Sequence, residues 1–414
     1  MTTASVPFDS PLPRRIGRYT LFDEIGRGGM ADIFLARVQT DLGVSRLAVV
    51  KQILPHLSDS REFSDMLISE AKLAARLDHA NIVQVHDLGR ADGFLYIAMQ
   101  YVEGFDLNDL LRRCTRTKTA LPVQYALLVV IEALRALDYA HRKTADDGRP
   151  LGIVHRDVSP SNLLISFEGE VKLCDFGIAH ANDVYPRQAF SEEVIKGKAG
   201  YMSPEQARGD PLDSRSDLFA VGIVLWELLA GKRLYKVGPD TPSLLDQAKA
   251  AQVLELPSRG LPLEAELFDI CDKALSVNRE GRYVSARAFL SDLERYVADS
   301  KLIASPIRFG EWLVERFGED LIVQRRERER AVQVLEADVR AEVVAELRAP
   351  PSSGRRPLPE VDETPVAPDA VSVVVAQEPS PVAPRRSSGR GWKVLLGMLV
   401  MGAGAAAAYF LGQR

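Results

Sequence analysis

Cysteine is scarce in this chain. The three present among 414 residues, Cys114, Cys174 and Cys271, stand far apart and are odd in number, which excludes a disulfide framework and a spaced structural zinc site. An excess of one charge is also missing. The 52 Lys and Arg nearly balance the 57 Asp and Glu, leaving a formal net charge of −5, so no nucleic-acid partner is expected. The first 17 residues lack an apolar run long enough for a signal-peptide core. What remains is a chain 46% hydrophobic, long enough for two or three units of roughly 100 to 200 residues each. Its mean hydropathy of −0.07 averages over very uneven segments.

The unevenness is greatest near the C-terminus. Val394 to Gly412 holds 19 residues without a charge or strongly polar group. With Trp392 this gives about 20 residues, enough for a helix across a hydrocarbon core roughly 30 Å thick. Arg385, Arg386, Arg390 and Lys393 precede the run, which by the positive-inside rule keeps that side cytoplasmic. Residues 392–411 are therefore expected to be a transmembrane helix in contact with lipid, residues 412–414 being a short outer tail too small for a sensor domain. Residues 349–391 contain nine of the 24 prolines and read as a flexible linker. Residues 298–348 read as a helical extension, with Leu335, Val339, Val343 and Leu347 spaced four apart and the mixed-charge run Arg325 to Arg330. A homodimer stays open, through that helix or through the Gly402/Ala406 and Gly404/Ala408 spacings.

Residues 19–297, after an N-terminal tail of 1–18, carry the globular pattern. Leu21–Ile25, Ile33–Val38, Leu47–Ile53, Val83–Leu88 and Leu95–Tyr101 are strand candidates, interrupted by an amphipathic helix at Phe63–Leu77. After Leu107 the spacing is mostly helical, at Gln124–Arg142, Asp217–Ala230, Glu264–Ala274 and Ala286–Ala298. The fold class is α+β: a strand-rich lobe, then a helical lobe, with a cleft between them. Ile25-Gly26-Arg27-Gly28-Gly29-Met30-Ala31-Asp32-Ile33 places glycines between two strands, where backbone N–H groups can approach phosphate oxygens closely. Because a strand follows, a dinucleotide fingerprint is disfavoured. Lys51 ends an apolar strand and needs an anion, which Glu70 on the helix can supply. A snorkelling lysine and a solvated glutamate are the plain alternative.

His155-Arg156-Asp157-Val158-Ser159-Pro160-Ser161-Asn162, then Asp175-Phe176-Gly177 and Ser203-Pro204-Glu205, follow in order. With the glycine turn and Lys51, they make the chain resemble eukaryotic-like bacterial serine/threonine protein kinases over about 280 residues. The resemblance implies the two-lobed kinase fold and transfer of the γ-phosphoryl of ATP to Ser/Thr hydroxyls of protein substrates. Taken with the apolar run and its basic flank, a bacterial inner-membrane location is expected, with the kinase domain in the cytoplasm. Lys51, aligned by Glu70, would hold the α/β-phosphates. Asn162 and Asp175 would hold Mg²⁺, with Mn²⁺ as an alternative, and Asp157 would accept the acceptor hydroxyl's proton. The Ile25–Ile33 turn would cover the phosphates, Met99 would be the gatekeeper, and Gln100 to Val102 the adenine hinge. By the same resemblance, His155 packs and hydrogen-bonds, Asp217 braces the catalytic loop, and Glu205 pairs with Arg282.

Four positions depart from that pattern. Ala31 replaces the third glycine and Val49 a customary alanine, both compatible with ATP. Ser159 stands where serine/threonine kinases carry a lysine, removing a positive charge from the phosphoryl-transfer site, and residues 158–161 supply no arginine in exchange. Lys198 replaces the usual activation-segment threonine and could restore part of that charge. Ser191 is then the sole serine or threonine between Asp175 and Tyr201, so little dependence on loop phosphorylation is expected. Two classes stay open: an active membrane-tethered kinase, and a nucleotide-binding pseudokinase or scaffold.

Overall fold

The structure, a computed structural model, describes residues 11–39, 45–176, 199–238, 241–323 and 325–326. The strand-rich lobe holds β1 (Arg14–Ile16), β2 (Tyr19–Arg27), β3 (Ala31–Gln39), β4 (Ser45–Ile53), β5 (Val85–Ala91) and β6 (Phe94–Gln100). They form one antiparallel sheet in the order β1-β2-β3-β4-β6-β5. Two helices, α1 (Pro55–Ser58) and α2 (Arg61–Ala74), sit between β4 and β5. On β4, Ala48, Val50 and Gln52 are buried while Val49 and Lys51 are partly exposed, the period of two that separates the faces of a strand. That alternation delivers Val49 and Lys51 together to the cleft.

β1 lies inside the stretch that the sequence assigned to a tail. Only Ile16 of Arg-Arg-Ile is apolar, too little for a strand pattern. What holds it is long-range: Ile16 is buried, Arg14 donates to Gln52 Oε1 at 2.6 Å, and its guanidinium lies 5.0 Å from the centre of the Phe34 ring.

The helical lobe begins at β7 (Gly104–Asp106) and continues through α3 (Leu107–Thr117), α4 (Val123–His141), β8 (Leu163–Ser166) and β9 (Val171–Leu173). It closes with α5 (Pro204–Arg208), α6 (Ser214–Ala230), α7 (Leu244–Ala250), α8 (Glu264–Ala274) and α9 (Ala286–Asp299). β7, β8 and β9 form a second, three-stranded sheet. Gly104 is forced there: a Cβ would sit 1.8 Å from the Ile165 carbonyl oxygen, so no other residue lets β7 pair this closely with β8. α6 is apolar on all sides and forms the lobe's axis, packed against α4, α8 and α9. Asp213 caps its N-terminus through the N–H of Arg215.

Residues 306–323 form a further helix, α10, within the expected helical extension. Phe309, Leu313, Phe317 and Leu321, four apart, are buried in the main core. The Phe317 ring stands edge-on to Phe105, and Phe309 stacks on Tyr125 at 4.8 Å. Gly310 passes so near the β8–β9 turn that a Cβ would lie 2.7 Å from the Phe167 carbonyl oxygen. The four-apart set Leu335, Val339, Val343 and Leu347 of that extension, 298–348, lies outside the described residues. The linker and the expected transmembrane helix at 392–411 are outside them as well. Among the described residues no helix is long and apolar enough to cross a membrane.

Candidate active site

Between the lobes lies a cleft of about 1210 Å³. From the strand-rich side, Ile25, Gly28, Ile33 and Lys51 line it, and Met99, Gln100 and Val102 form its back edge. Asp157, Asn162 and Asp175 line it from the helical side. Gly26, Arg27, Gly29, Met30, Ala31 and Asp32 belong to the same turn without lining the cleft. Ala31 is packed in the core, Arg27 forks Glu24, and the Gly28 N–H closes the turn on the Ala31 carbonyl at 3.0 Å.

Lys51 Nζ lies 3.0 Å from Asp175 Oδ2, with 12% of the lysine side chain and 24% of the aspartate side chain exposed. Sequence reasoning assigned Lys51 to Glu70. Glu70 is buried on α2, but no Lys51–Glu70 pair forms among the described residues. Asp175 sits at φ +62, a left-handed conformation that Asp adopts more readily than most side chains, and its carboxylate takes the lysine. Arg156, at φ +66, gives the catalytic loop a second such turn.

Asp157 is oriented by Asn162, whose Nδ2 donates to the Asp157 carbonyl at 2.7 Å and to Oδ2 at 3.1 Å. With its nitrogen so engaged, Asn162 keeps an amide oxygen as acceptor. That oxygen and the Asp175 carboxylate are hard donors of the kind Mg²⁺ takes when phosphates complete its shell, so the residues present fit such an ion.

His155 is fully buried, and its two nitrogens have distinct tasks. Nε2 lies 2.9 Å from the Cys174 carbonyl and Nδ1 accepts the Asp157 N–H at 3.2 Å, a pattern that fixes the neutral Nε2–H tautomer. Its ring packs edge-on to Phe176 at 4.5 Å. It thus joins the loop before Asp157 to the segment carrying Asp175 and is not a base. Asp217, one turn into α6, accepts from the N–H groups of His155 (2.8 Å) and Arg156 (2.7 Å) and lies 2.8 Å from His141 Nε2. Burial pushes the Asp217 carboxyl upward, but the His141 hydrogen bond and the donated N–H of His155 prevail and hold it below the usual carboxylate range.

Glu205 and Arg282 form a fork, Nη1 to Oε1 at 2.7 Å and Nη2 to Oε2 at 2.9 Å, with Ser216 Oγ also donating to Oε1. Gln206, next to it, donates to the Arg156 carbonyl, tying α5 to the catalytic loop. Cys174 is buried in the core of the smaller lobe and burial pushes its thiol well up, which suits an apolar filler. Ser159 and Val49 both line the cleft. Lys198, Ser191 and Gly177 lie outside the described residues.

Sequence reasoning passed over three features. Arg325 forks Glu103, directly after the hinge, at 2.6 Å. Arg113 reaches from α3 to Asp320 of α10. The cleft also continues past Asp157 to Tyr201, Glu227 and Arg233. Glu227 carried a legible signal, a lone acid inside the apolar run Leu218 to Leu229.

The family model of the protein kinase domain matches residues 19–292. "Tyrosine-protein kinase MasK" of Myxococcus xanthus is 40% identical over 316 residues, which cover 76% of this chain and 48% of that protein. "Serine/threonine-protein kinase PknB" of Mycobacterium leprae is 37% identical over 287 residues, 68% of this chain and 43% of the relative. The chain thus spans about half the length of the curated relatives it matches. Among solved structures, the PknI kinase domain of Mycobacterium tuberculosis superposes with a TM-score of 0.52 at 28% identity, covering 70% of this chain and 99% of that one. With the two-lobed fold and the cleft residues already in place, the chain belongs to the protein kinase family, which uses ATP and a divalent metal.

Proposed function

We propose that this protein is an active serine/threonine kinase held at a membrane by residues 392–411. The observation that carries the catalytic reading is the meeting of two polar pairs in one cleft, Lys51 with Asp175 and Asp157 with Asn162. Lys51 is placed to hold phosphate oxygens, and Asp157 to orient the acceptor hydroxyl and take its proton as the oxygen attacks the γ-phosphorus and the bond to ADP breaks. Asn162 and Asp175 would hold Mg²⁺, which when bound supplies positive charge to the phosphate oxygens. His155 and Asp217 keep the catalytic loop rigid under that chemistry. The membrane reading rests on the apolar run and its basic flank.

A second reading, tyrosine as acceptor, is favoured by Ser159. The customary serine/threonine-kinase lysine is missing there, and the relative at 40% identity is named a tyrosine kinase. Phosphoamino-acid analysis of substrate labelled by the full chain separates the two: phosphoserine and phosphothreonine support the proposal, phosphotyrosine alone replaces it. Fractionation of cells producing the chain with and without residues 392–414 tests the anchor. Equal recovery of both in the soluble fraction would remove it.

A further inference from the structure

Beyond Asp157 the cleft runs on to a wall built by Tyr201, by Glu227 near the end of α6, and by Arg233 and Lys236 in the segment that follows. This wall shares one cleft with Asp157, so a polypeptide presenting its hydroxyl there has flanking residues within reach of these charges. The floor is Glu227. Its side chain is 7% exposed, and three donors converge on it: the Leu234 N–H on Oε1 at 3.0 Å, with Tyr201 Oη (2.7 Å) and Arg233 Nη1 (3.1 Å) on Oε2. Burial pushes this carboxyl up to about 7, against the Leu234 N–H that pulls it down, and its Oε2 is placed to take a cation.

That cation comes from the chain itself. Arg233 also donates through Nη2 to Asn108 Oδ1 at 2.7 Å, so its guanidinium is fixed between α6 and α3, and it lies 5.5 Å from the centre of the Tyr201 ring. Yet 49% of its side chain is exposed. It covers the buried acid on one side and faces solvent on the other. Lys236, exposed on the same wall, forms no ion pair among the described residues. Of the other acids lining the cleft at the start of α3, Asp106 caps the helix and Asp109 pairs with Arg113, so over Glu227 an approaching substrate meets positive charge where the buried acid alone would have offered negative charge.

We infer that Arg233 is a specificity-determining residue which occupies the cation site over Glu227, so that this wall selects acidic flanking residues in the substrate and rejects basic ones. This rests on the protein kinase reading and adds to it a chemical class of substrate. It predicts that removing the guanidinium hands the Glu227 site to a substrate arginine, a switch of sign that simple loosening of the fold would not produce.

The test uses the full chain and peptides carrying Arg, Glu or Ala at each flanking position in turn. Turnover is measured at pH 8 with a Ser acceptor, and binding with Ala in its place. Wild type should favour Glu over Arg at one or more positions. Arg233→Gln should shift that ratio toward Arg by roughly tenfold, the scale of one charge-assisted hydrogen bond in a partly desolvated site. Arg233→Lys, which keeps the charge, should stay near wild type. Adding Glu227→Gln to Arg233→Gln should abolish the gain for Arg. A shift in binding without turnover by any variant would sink the kinase reading while supporting the subsite. An Arg-to-Glu ratio unchanged within about twofold in Arg233→Gln, or a gain that survives Glu227→Gln, would overturn the inference.

Discussion

Glu205→Gln tests how the end of the activation segment is fixed. The wild-type carboxylate takes both prongs of Arg282 and the hydroxyl of Ser216, and Arg282 is wholly buried. Its remaining donors reach the carbonyls of Ser276, Arg215 and Val277, and the guanidinium packs over Phe219 at 4.6 Å. The substitution therefore leaves a buried guanidinium without its counter-charge, a loss of about 3 to 5 kcal/mol. The protonation of Glu205 gives a similar size independently. Burial raises its carboxyl, but Arg282 and Ser216 lower it further, to about 2 from 4.5. That difference corresponds to ~3 kcal/mol at neutral pH. Because the folded value is depressed, this stability is fully present above about pH 4.5 and lost as pH falls toward 2. Urea unfolding of both proteins at several pH values between 7 and 3 should show a gap of about 3 kcal/mol or more at pH 7 that narrows only below about pH 4.5. A gap under ~1 kcal/mol, or one that stays constant to pH 3, would refute the reasoning.

Asp217→Asn puts an amide NH₂ where one carboxylate oxygen now accepts, so the catalytic loop loses a backbone anchor. Turnover should fall by about tenfold or more while the KM for ATP changes little, which steady-state kinetics will show. Gly310→Ala drives a Cβ into the backbone of the β8–β9 turn. Thermal unfolding should report a loss of roughly 1 to 3 kcal/mol, although position 310 lies beyond the 19–292 span of the family match. A stability equal to wild type would mean that α10 is not part of the folded kinase unit.

Much of the architecture was legible because it is periodic. α8 matches its expected span of Glu264–Ala274, and the start of α9 at Ala286 was also read correctly. What escaped depends on partners distant in sequence. β1 needs Gln52 and Phe34, and no pattern inside Arg14–Ile16 announces them. α10 did not escape, since it lies within the expected helical extension of 298–348, but that reading took its apolar stripe from Leu335 to Leu347 and not from Phe309, Leu313, Phe317 and Leu321. In the site, motif order named Lys51, Asp157, Asn162 and Asp175, which the fold brings to one cleft. The partner of Lys51 was read as Glu70 alone, and Asp175, 124 residues away in sequence, meets the lysine only in the fold. The wall beyond Asp157 was missed because Tyr201, Glu227 and Arg233 belong to different local patterns that converge only in space.

The central claim is that Asp157, held by Asn162 in the cleft of the Lys51–Asp175 pair, takes the acceptor hydroxyl's proton as the γ-phosphoryl passes from ATP to that oxygen. The most direct measurement is incorporation of labelled γ-phosphate from ATP by the full chain in Mg²⁺, compared with Asp157→Asn. Incorporation by wild type, reduced about 10²- to 10⁴-fold in the variant, is the expected result. Equal incorporation by both proteins, or none by wild type in Mg²⁺ or Mn²⁺ while ATP still binds, would contradict it and leave a nucleotide-binding scaffold.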